Sequence, residues 1–455
     1  MRTDPFMRDV IGLAYKSYNR AKSFVEGKPD REIRHPEWTR LLLDQFDRPD
    51  DTRNVMVTGS KGKGSHAILL AAILQRAGLR VGLFTGPHLV DFMERFRVDG
   101  TPIPESDFAR LMRQVSQVSE TLPVPEGQYI GPVGLLAVVA ALWFREQSTD
   151  VNVYECGRGA LHDDVNQVLH AVAVVSPIFL EHARELGPTL ADVAREKAGV
   201  VTDATKFVVS HQQTSDVLTA LHAACLRHGT RLEIVEAEGL QAPRVYLPGP
   251  GSRAVDVELP SGGPYLAVNA EVAAAGATAV FEVWPELARR VPTPIDLRQL
   301  QLPGRMQVVR ERPLTVVDGT IHRDSARFVA AWLNNWLVRH ADRQVGLVFG
   351  LPADKDVTGV LEVLCPLASF VVVAKARNPH LHFDAGVASV SRTFLADVEE
   401  CTDIGDAVRA ADRRLGDDDL LLVLGTQSFV GDALLYFAAP TQSLWTVSQP
   451  GGVVR

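Results

Sequence analysis

The stretch Val57-Thr58-Gly59-Ser60-Lys61-Gly62-Lys63-Gly64-Ser65 carries the clearest chemistry in the chain. Its glycines let backbone N–H groups turn inward on an anion. The apolar run behind it predicts a helix whose N-terminus adds partial positive charge. Lys63 can reach terminal phosphates, and Ser65 can approach a magnesium ion. The standard spacing would need glycine where Val57 stands, so this is a shortened Gly-x-x-Gly-Lys-Gly-Ser loop. Gly59, Ser60, Lys61, Gly62, Lys63, Gly64 and Ser65 are the expected phosphate-binding set. Glu155 closes a predicted strand, where open α/β sheets place their ligands. His182 follows another strand. By spacing alone it reads as a loop histidine, because a hard magnesium ion prefers oxygen. Lys197 reads by itself as a solvated helix lysine paired with Glu196 or Asp192. Arg305 falls in a proline-rich stretch, Asp318 ends a later strand, and Asn269 stands where an N-cap is expected.

The elements that must hold these residues alternate. Strands are predicted at Asn54–Thr58, Arg80–Phe84, Val151–Cys156, Ala171–Ser176, Lys206–Ser210 and Arg231–Val235. Helices fall between them, over Gly64–Ala77, Glu105–Glu120, Val133–Glu146 and Ser215–Arg227. Thr189 and Asp192 form a capping box for a helix reaching Ala198. This pattern predicts a mostly parallel sheet covered on both faces. A small hairpin is expected near 241–265, then a helix over Asn269–Trp284. Pro292, Pro294 and Pro303 mark a linker, after which alternation restarts with strands at Leu314–Asp318, Gln344–Phe349, Ser369–Val373 and Asp419–Gly425, and helices at Ser325–Ala341 and Ile404–Leu415. The expected domains are 1–292 and 306–455, joined by linker 293–305.

Composition narrows the class. A chain of 455 residues with 46% hydrophobic and 22% charged residues excludes a mainly disordered or collagen-like protein. A formal net charge of −8 disfavours a general nucleic-acid binder. The apolar run Val133–Phe144 is shorter than the ~18 residues a membrane span needs. Cys156, Cys225, Cys365 and Cys401 are scattered without a CxxC pair, so reduced thiols, a cytoplasmic location and no membrane or nucleic-acid partner are expected.

In order along the chain, these motifs resemble the folylpolyglutamate synthase family of the Mur ligase superfamily. The phosphate loop resembles Gly-Thr-Asn-Gly-Lys-Gly-Ser. Thr85-Gly86-Pro87-His88-Leu89 resembles Thr-Ser-Pro-His-Leu, and Glu155-Cys156-Gly157-Arg158-Gly159 resembles Glu-Val-Gly-Leu-Gly. Leu180-Glu181-His182 resembles Leu-Asp-His. Glu196-Lys197-Ala198-Gly199 and Leu302-Pro303-Gly304-Arg305 match outright, and Asp318-Gly319 and Ala353-Asp354-Lys355-Asp356 fall where later motifs belong. The resemblance implies an α/β fold: a P-loop Mur ligase-like ATPase domain with a smaller Rossmann-like C-terminal domain. It implies an ATP-dependent ligase that turns a carboxylate into an acyl phosphate and couples it to an amino acid, glutamate in the family. It further implies two magnesium ions held by Ser65, Glu155, His182 and a carbamylated Lys197. Lys63 and Arg305 would sit on phosphate, Asn269 near adenine and Asp318 at the ribose. His88, Arg158, His322, Arg323 and Asp324 are the expected substrate-side residues.

Departures spare most of the phosphate-and-metal set, although Lys61 adds a positive charge beside the phosphates. Gly86 replaces the family's serine, a metal ligand there, and Lys61 replaces asparagine. Asp318-Gly319-Thr320-Ile321-His322-Arg323 replaces Asp-Gly-Ala-His-Asn-Pro. These changes imply retained nucleotide activation with a shifted substrate. The competing expectation is an ATP-binding subunit without catalysis.

Overall fold

The computed structural model describes residues 4–445 except 240–241, 250–252, 261, 289–290, 353–354, 379–380, 382 and 384–385. Ala353 and Asp354 of the motif above therefore lie outside the described residues.

The first sheet contains β1 (Asn54–Thr58), β2 (Val81–Phe84), β3 (Phe96–Val98), β4 (Thr101–Pro102), β5 (Val151–Glu155), β6 (Val172–Val175), β7 (Phe207–His211) and β8 (Arg231–Val235). Its order is β4-β3-β2-β5-β1-β6-β7-β8, parallel except for the pairs made by β3. The central strands are buried on both faces, which their β-branched runs permit. Alternation divides the side chains: Val55 and Val57 join one core, and Met56 joins the other. Helices Lys63–Arg76 and Pro264–Val283 pack on the Val55 side. Pro5–Val25, Glu105–Ser119 and Pro132–Glu146 contribute to the Met56 side.

Helix Pro5–Val25 is absent from the sequence expectations because charges interrupt it. Its buried residues Met7, Val10, Ala14, Ser17, Ala21 and Val25 nevertheless fall on one helical face. Helix Pro264–Val283 exceeds its expected length, and its segment Tyr265–Val283 is long and apolar enough to cross a membrane by composition. Its Ala273, Ala277 and Val280 are instead buried in the core with Leu70 and Val174.

The expected hairpin is present as β9 (Arg244–Leu247) paired antiparallel with β10 (Arg253–Glu258). A short β11 (Ile295–Asp296) adds parallel to β10, and Leu297 and Leu300 join the same core. The first half of the 293–305 stretch is thus built into the N-terminal part. The second sheet holds β12 (Gln307–Glu311), β13 (Leu314–Asp318), β14 (Val345–Gly350), β15 (Phe370–Val373), β16 (Val398–Glu400) and β17 (Leu420–Gly425). Its order is β12-β13-β17-β14-β15-β16, with only edge strand β12 antiparallel. All four cysteines are free thiols.

Candidate active site

The loop after β1, the end of β5 and the loop after β6 meet at the C-terminal ends of the first sheet's central strands. There they face the second domain across a cavity of about 720 Å³. Gly59 has φ +136, and a Cβ there would stand 2.0 Å from Ser176 Oγ, so only glycine fits. The Ser60 and Lys61 N–H groups donate to the Pro177 carbonyl at 2.9 and 3.3 Å. Gly62, at φ +86, caps helix Lys63–Arg76 and starts the anion-facing turn. Lys63 Nζ rests on the Gly59 carbonyl at 3.1 Å, while Ser65 is buried at the cavity wall.

Glu155 is the last residue of β5 and accepts from the Gly86 N–H at 3.0 Å. A Cβ on Gly64 would lie 3.4 Å from its carboxylate, so Glu155 sits directly under the phosphate loop. Burial pushes its pKa up, against the pull of Lys63. The Gly86 position, where the family has serine, thus meets Glu155 through its backbone.

Lys197 corrects its first reading. It is wholly buried, not solvated, and pairs with neither Glu196 nor Asp192. Its Nζ donates to the carbonyls of Gly59 at 2.7 Å and Arg158 at 2.6 Å, and lies 3.0 Å from Glu181 Oε1. Burial and neighbouring Lys63 lower its pKa to about 8, against Glu181. Glu196 instead holds the His162 ring at 2.8 Å. His182 has left-handed backbone (φ 47), with its ring nitrogens 3.9 Å from Glu181 and Glu185. Burial lowers its pKa.

The second domain closes the cavity with Arg305, Asp318 and His322. Arg305 Nη1 donates to the Gly304 carbonyl at 2.9 Å. Asp318 is 3% exposed: Oδ2 accepts from the Tyr265 hydroxyl at 2.5 Å and the Met306 N–H at 2.9 Å, and Oδ1 from Thr320 at 2.5 Å. A ribose hydroxyl would have to share Oδ1 with Thr320. Lys61 Nζ crosses to the Gly319 carbonyl at 2.8 Å, and burial lowers its pKa to about 8. His322 caps helix Arg323–Arg339 and stacks on Phe179 at 5.2 Å.

Two expectations fail here. Asn269 is not an N-cap, because Gly263 holds that position and Asn269 lies in the second turn, on the cavity wall. Arg323 is turned onto Glu362 and does not line the cavity. His88, held by Arg95 at 3.2 Å, and Arg158, paired with Asp30 at 2.8 Å, do line it, as does Asp324. The sequence reading missed Tyr265, Phe179, His66 and His211. His66 and His211 bond through their Nε2 atoms at 2.7 Å, and burial lowers them to about 4 and about 3. No local motif marks these four, since their partners lie far away in sequence.

A magnesium ion fits beside Glu155: one carboxylate at a phosphate loop, with phosphate oxygens and water completing the shell, is its usual environment. The second expected ion does not fit the residues as they stand. Lys197 is an ammonium pointed at three oxygens, and among the described residues no cluster of three His, Cys, Asp or Glu side chains forms a metal cage.

Comparison with known proteins agrees with this geometry. The profile of the Mur ligase, glutamate ligase domain matches residues 304–427. A dihydrofolate synthase/folylpolyglutamate synthase of Bacillus subtilis is 24% identical over 92% of this chain and 98% of its own length. A crystal structure of Mycobacterium tuberculosis folylpolyglutamate synthase complexed with ADP superposes with a TM-score of 0.74 at 25% identity, covering 90% of this chain and 97% of that one. Over most of its length the chain is similar to folylpolyglutamate synthases, and its second domain to the glutamate ligase domain of Mur ligases. A probable bifunctional folylpolyglutamate synthase/dihydropteroate synthase of Haloferax volcanii is 30% identical over 90% of this chain, which spans only 48% of that relative. Within this fold, the departures noted above fall on the second domain's rim, on Gly86 and on Lys61 of the phosphate loop, while Lys63, Glu155 and Lys197 stay grouped around that loop.

Proposed function

We propose that this chain is an ATP-dependent carboxylate–amine ligase that joins an amino acid, glutamate by likeness to its relatives, to a small carboxylic acid. The single observation that carries this is the grouping of Lys63 and Glu155 from one domain with Arg305 and Asp318 from the other around one cavity, with Lys197 buried behind the phosphate loop on the Gly59 carbonyl. The γ-phosphoryl group of ATP passes to a carboxylate oxygen, giving an acyl phosphate and ADP. The amine then attacks the acyl carbon, the amide forms, phosphate leaves and the amine gives up a proton.

The chain's own groups suit these steps. Loop N–H groups and Lys63 bind the phosphates, and Arg305 reaches them from the second domain as a permanent cation. Glu155 would hold the magnesium ion, which supplies neutralisation of phosphate charge. Lys197 braces the loop through the Gly59 carbonyl. Closure between the domains keeps water from the acyl phosphate. A carbamate on Lys197 would put its oxygens against carbonyl oxygens; the residues present do not fit it, and the ammonium takes its place. A cytoplasmic location belongs to this same reading.

The test uses purified protein with ATP, Mg²⁺, glutamate and a reduced folate, then pooled amino acids and other carboxylates, following phosphate release and product mass. A folate–glutamate product with stoichiometric phosphate establishes the family's named activity. Turnover with another pair establishes the ligase and a shifted substrate, which the outward turn of Arg323 favours. ATP binding without product from any pair overturns the ligase reading.

A further inference from the structure

One wall of the cavity beside the phosphate loop has a different character from the rest. Ile68, Val268, Asn269 and His211 line it. Ile68 and Val268 are apolar and suit the faces of a flat ring, while Asn269 and His211 offer polar atoms to its edge. His211 ends β7 and is 5% exposed. His66, wholly buried, lies in the first turns of the helix behind the loop. Their rings meet edge-on at 79°, with the Nε2 atoms 2.7 Å apart.

Hydrogen-bond accounting fixes the tautomers. At that distance one Nε2 carries a hydrogen and the other a lone pair. His66 Nδ1 lies 2.8 Å from the Gly62 carbonyl oxygen, which can only accept, so Nδ1 carries the hydrogen. The pair is buried and neither ring has a carboxylate partner among the described residues, so both rings are neutral. His66 Nε2 is therefore bare and His211 Nε2–H donates to it. A neutral His211 then carries a lone pair on Nδ1. No described residue bonds that atom, and the ring lines the cavity.

We propose that His211 Nδ1 accepts a hydrogen bond from the exocyclic amino group of adenine, so that the His66–His211 pair selects ATP against GTP. Adenine presents an amino donor at its six position, whereas guanine presents a carbonyl oxygen that would face the lone pair. Asn269 cannot make this choice alone, because its amide turns over to suit either edge. His66 is a positioning residue: it fixes the His211 tautomer from the Gly62 carbonyl, so the loop that holds the phosphates also orients the base reader. The inference rests on the nucleotide half of the proposed function and not on amide formation.

The test is equilibrium titration of the full chain with ATP, GTP and purine riboside 5′-triphosphate, which lacks the amino group, all with Mg²⁺ and no carboxylate or amine. The unchanged protein is expected to bind ATP about tenfold more tightly than purine riboside triphosphate, the span of one hydrogen bond. H211L is expected to weaken ATP about tenfold while leaving purine riboside triphosphate unchanged, so the ratio collapses towards one. Equal weakening of both by H211L, or no weakening, overturns the proposal. If H211L does not fold, the unchanged protein decides alone: equal affinity for ATP and purine riboside triphosphate overturns it. Binding of ATP without any amide product sinks the ligase reading and leaves this one standing, while no binding of any nucleotide sinks both.

Discussion

Lys197 shows how much one buried cation can organise. It ties the start of the phosphate loop, through Gly59, to the loop after β5, through Arg158, with Glu181 as counter-ion. Lys197→Met leaves the Arg158 carbonyl without its donor and Glu181 without its counter-ion, while the Gly59 carbonyl keeps Lys63; this costs about 1–3 kcal/mol of stability and is expected to abolish turnover. Rescue separates the chemistries: a small alkylammonium should restore activity where a cation is needed, and a short carboxylic acid should not. Restoration by the acid would return the carbamate. The histidines carry a second prediction. His66 and His211 have folded pKa values of about 4 and about 3, below the usual 6.5. Between those values and 6.5 the unfolded chain binds more protons than the folded one, so stability rises with pH and is lost on acidification. Each histidine titrating alone contributes about 1.4 kcal/mol per pH unit in that window. Urea midpoints at pH 5 and 7 should differ in that sense, and the difference should shrink in H211L.

At the scale of elements, the site depends on glycine at the join of β1 and its helix. Gly59→Ala drives a methyl group into Ser176, within 2.0 Å of its hydroxyl, at a φ that side chains avoid. Nucleotide binding is expected to vanish while far-ultraviolet dichroism stays that of the unchanged protein; retained ATP affinity would show that the loop adapts. The Thr189 cap is a milder case. Its hydroxyl accepts from the Asp192 N–H at 3.2 Å, and Thr189→Ala should cost about 1 kcal/mol in a denaturant titration. These two features were legible from the sequence because loop and capping box are local. So were the main strands, whose β-branched runs alternate with helices. Helix Pro5–Val25 was not, since its apolar face is thin and interrupted by charge. By local pattern alone Lys197 reads as solvated, because its burial comes from loops after β1 and β5, which no local pattern reports; the burial agrees with the lowered pKa that the resemblance implies. Tyr265 and the His66–His211 pair were missed for the same reason: each is paired with a residue distant in sequence.

The whole molecule is held closed by contacts between its halves. Lys61 reaches the Gly319 carbonyl, Tyr265 the Asp318 carboxylate, and Gln427 the Pro87 carbonyl at 2.7 Å; Phe179 stacks on His322. Deeper in, Thr441 bonds Glu94 at 2.6 Å and Arg97 reaches the Thr441 carbonyl at 3.0 Å. These bonds are protein to protein, so closure does not wait for a substrate to supply them. X-ray scattering should therefore give the same radius of gyration with and without a non-hydrolysable ATP analogue. A clear contraction on adding the analogue would mean that these contacts form only around nucleotide. The variant Phe179→Ala with Gln427→Ala removes two contacts on the cleft rim without touching Lys63, Glu155 or Arg305. It is expected to expand the free protein and to restore the contraction on binding, because ligand then has to select the closed form that the rim contacts held before. ATP affinity should fall in the same variant by the fraction of molecules left open, with no change in turnover at saturating ATP. A fall in turnover instead would place the two rim residues in the reaction itself.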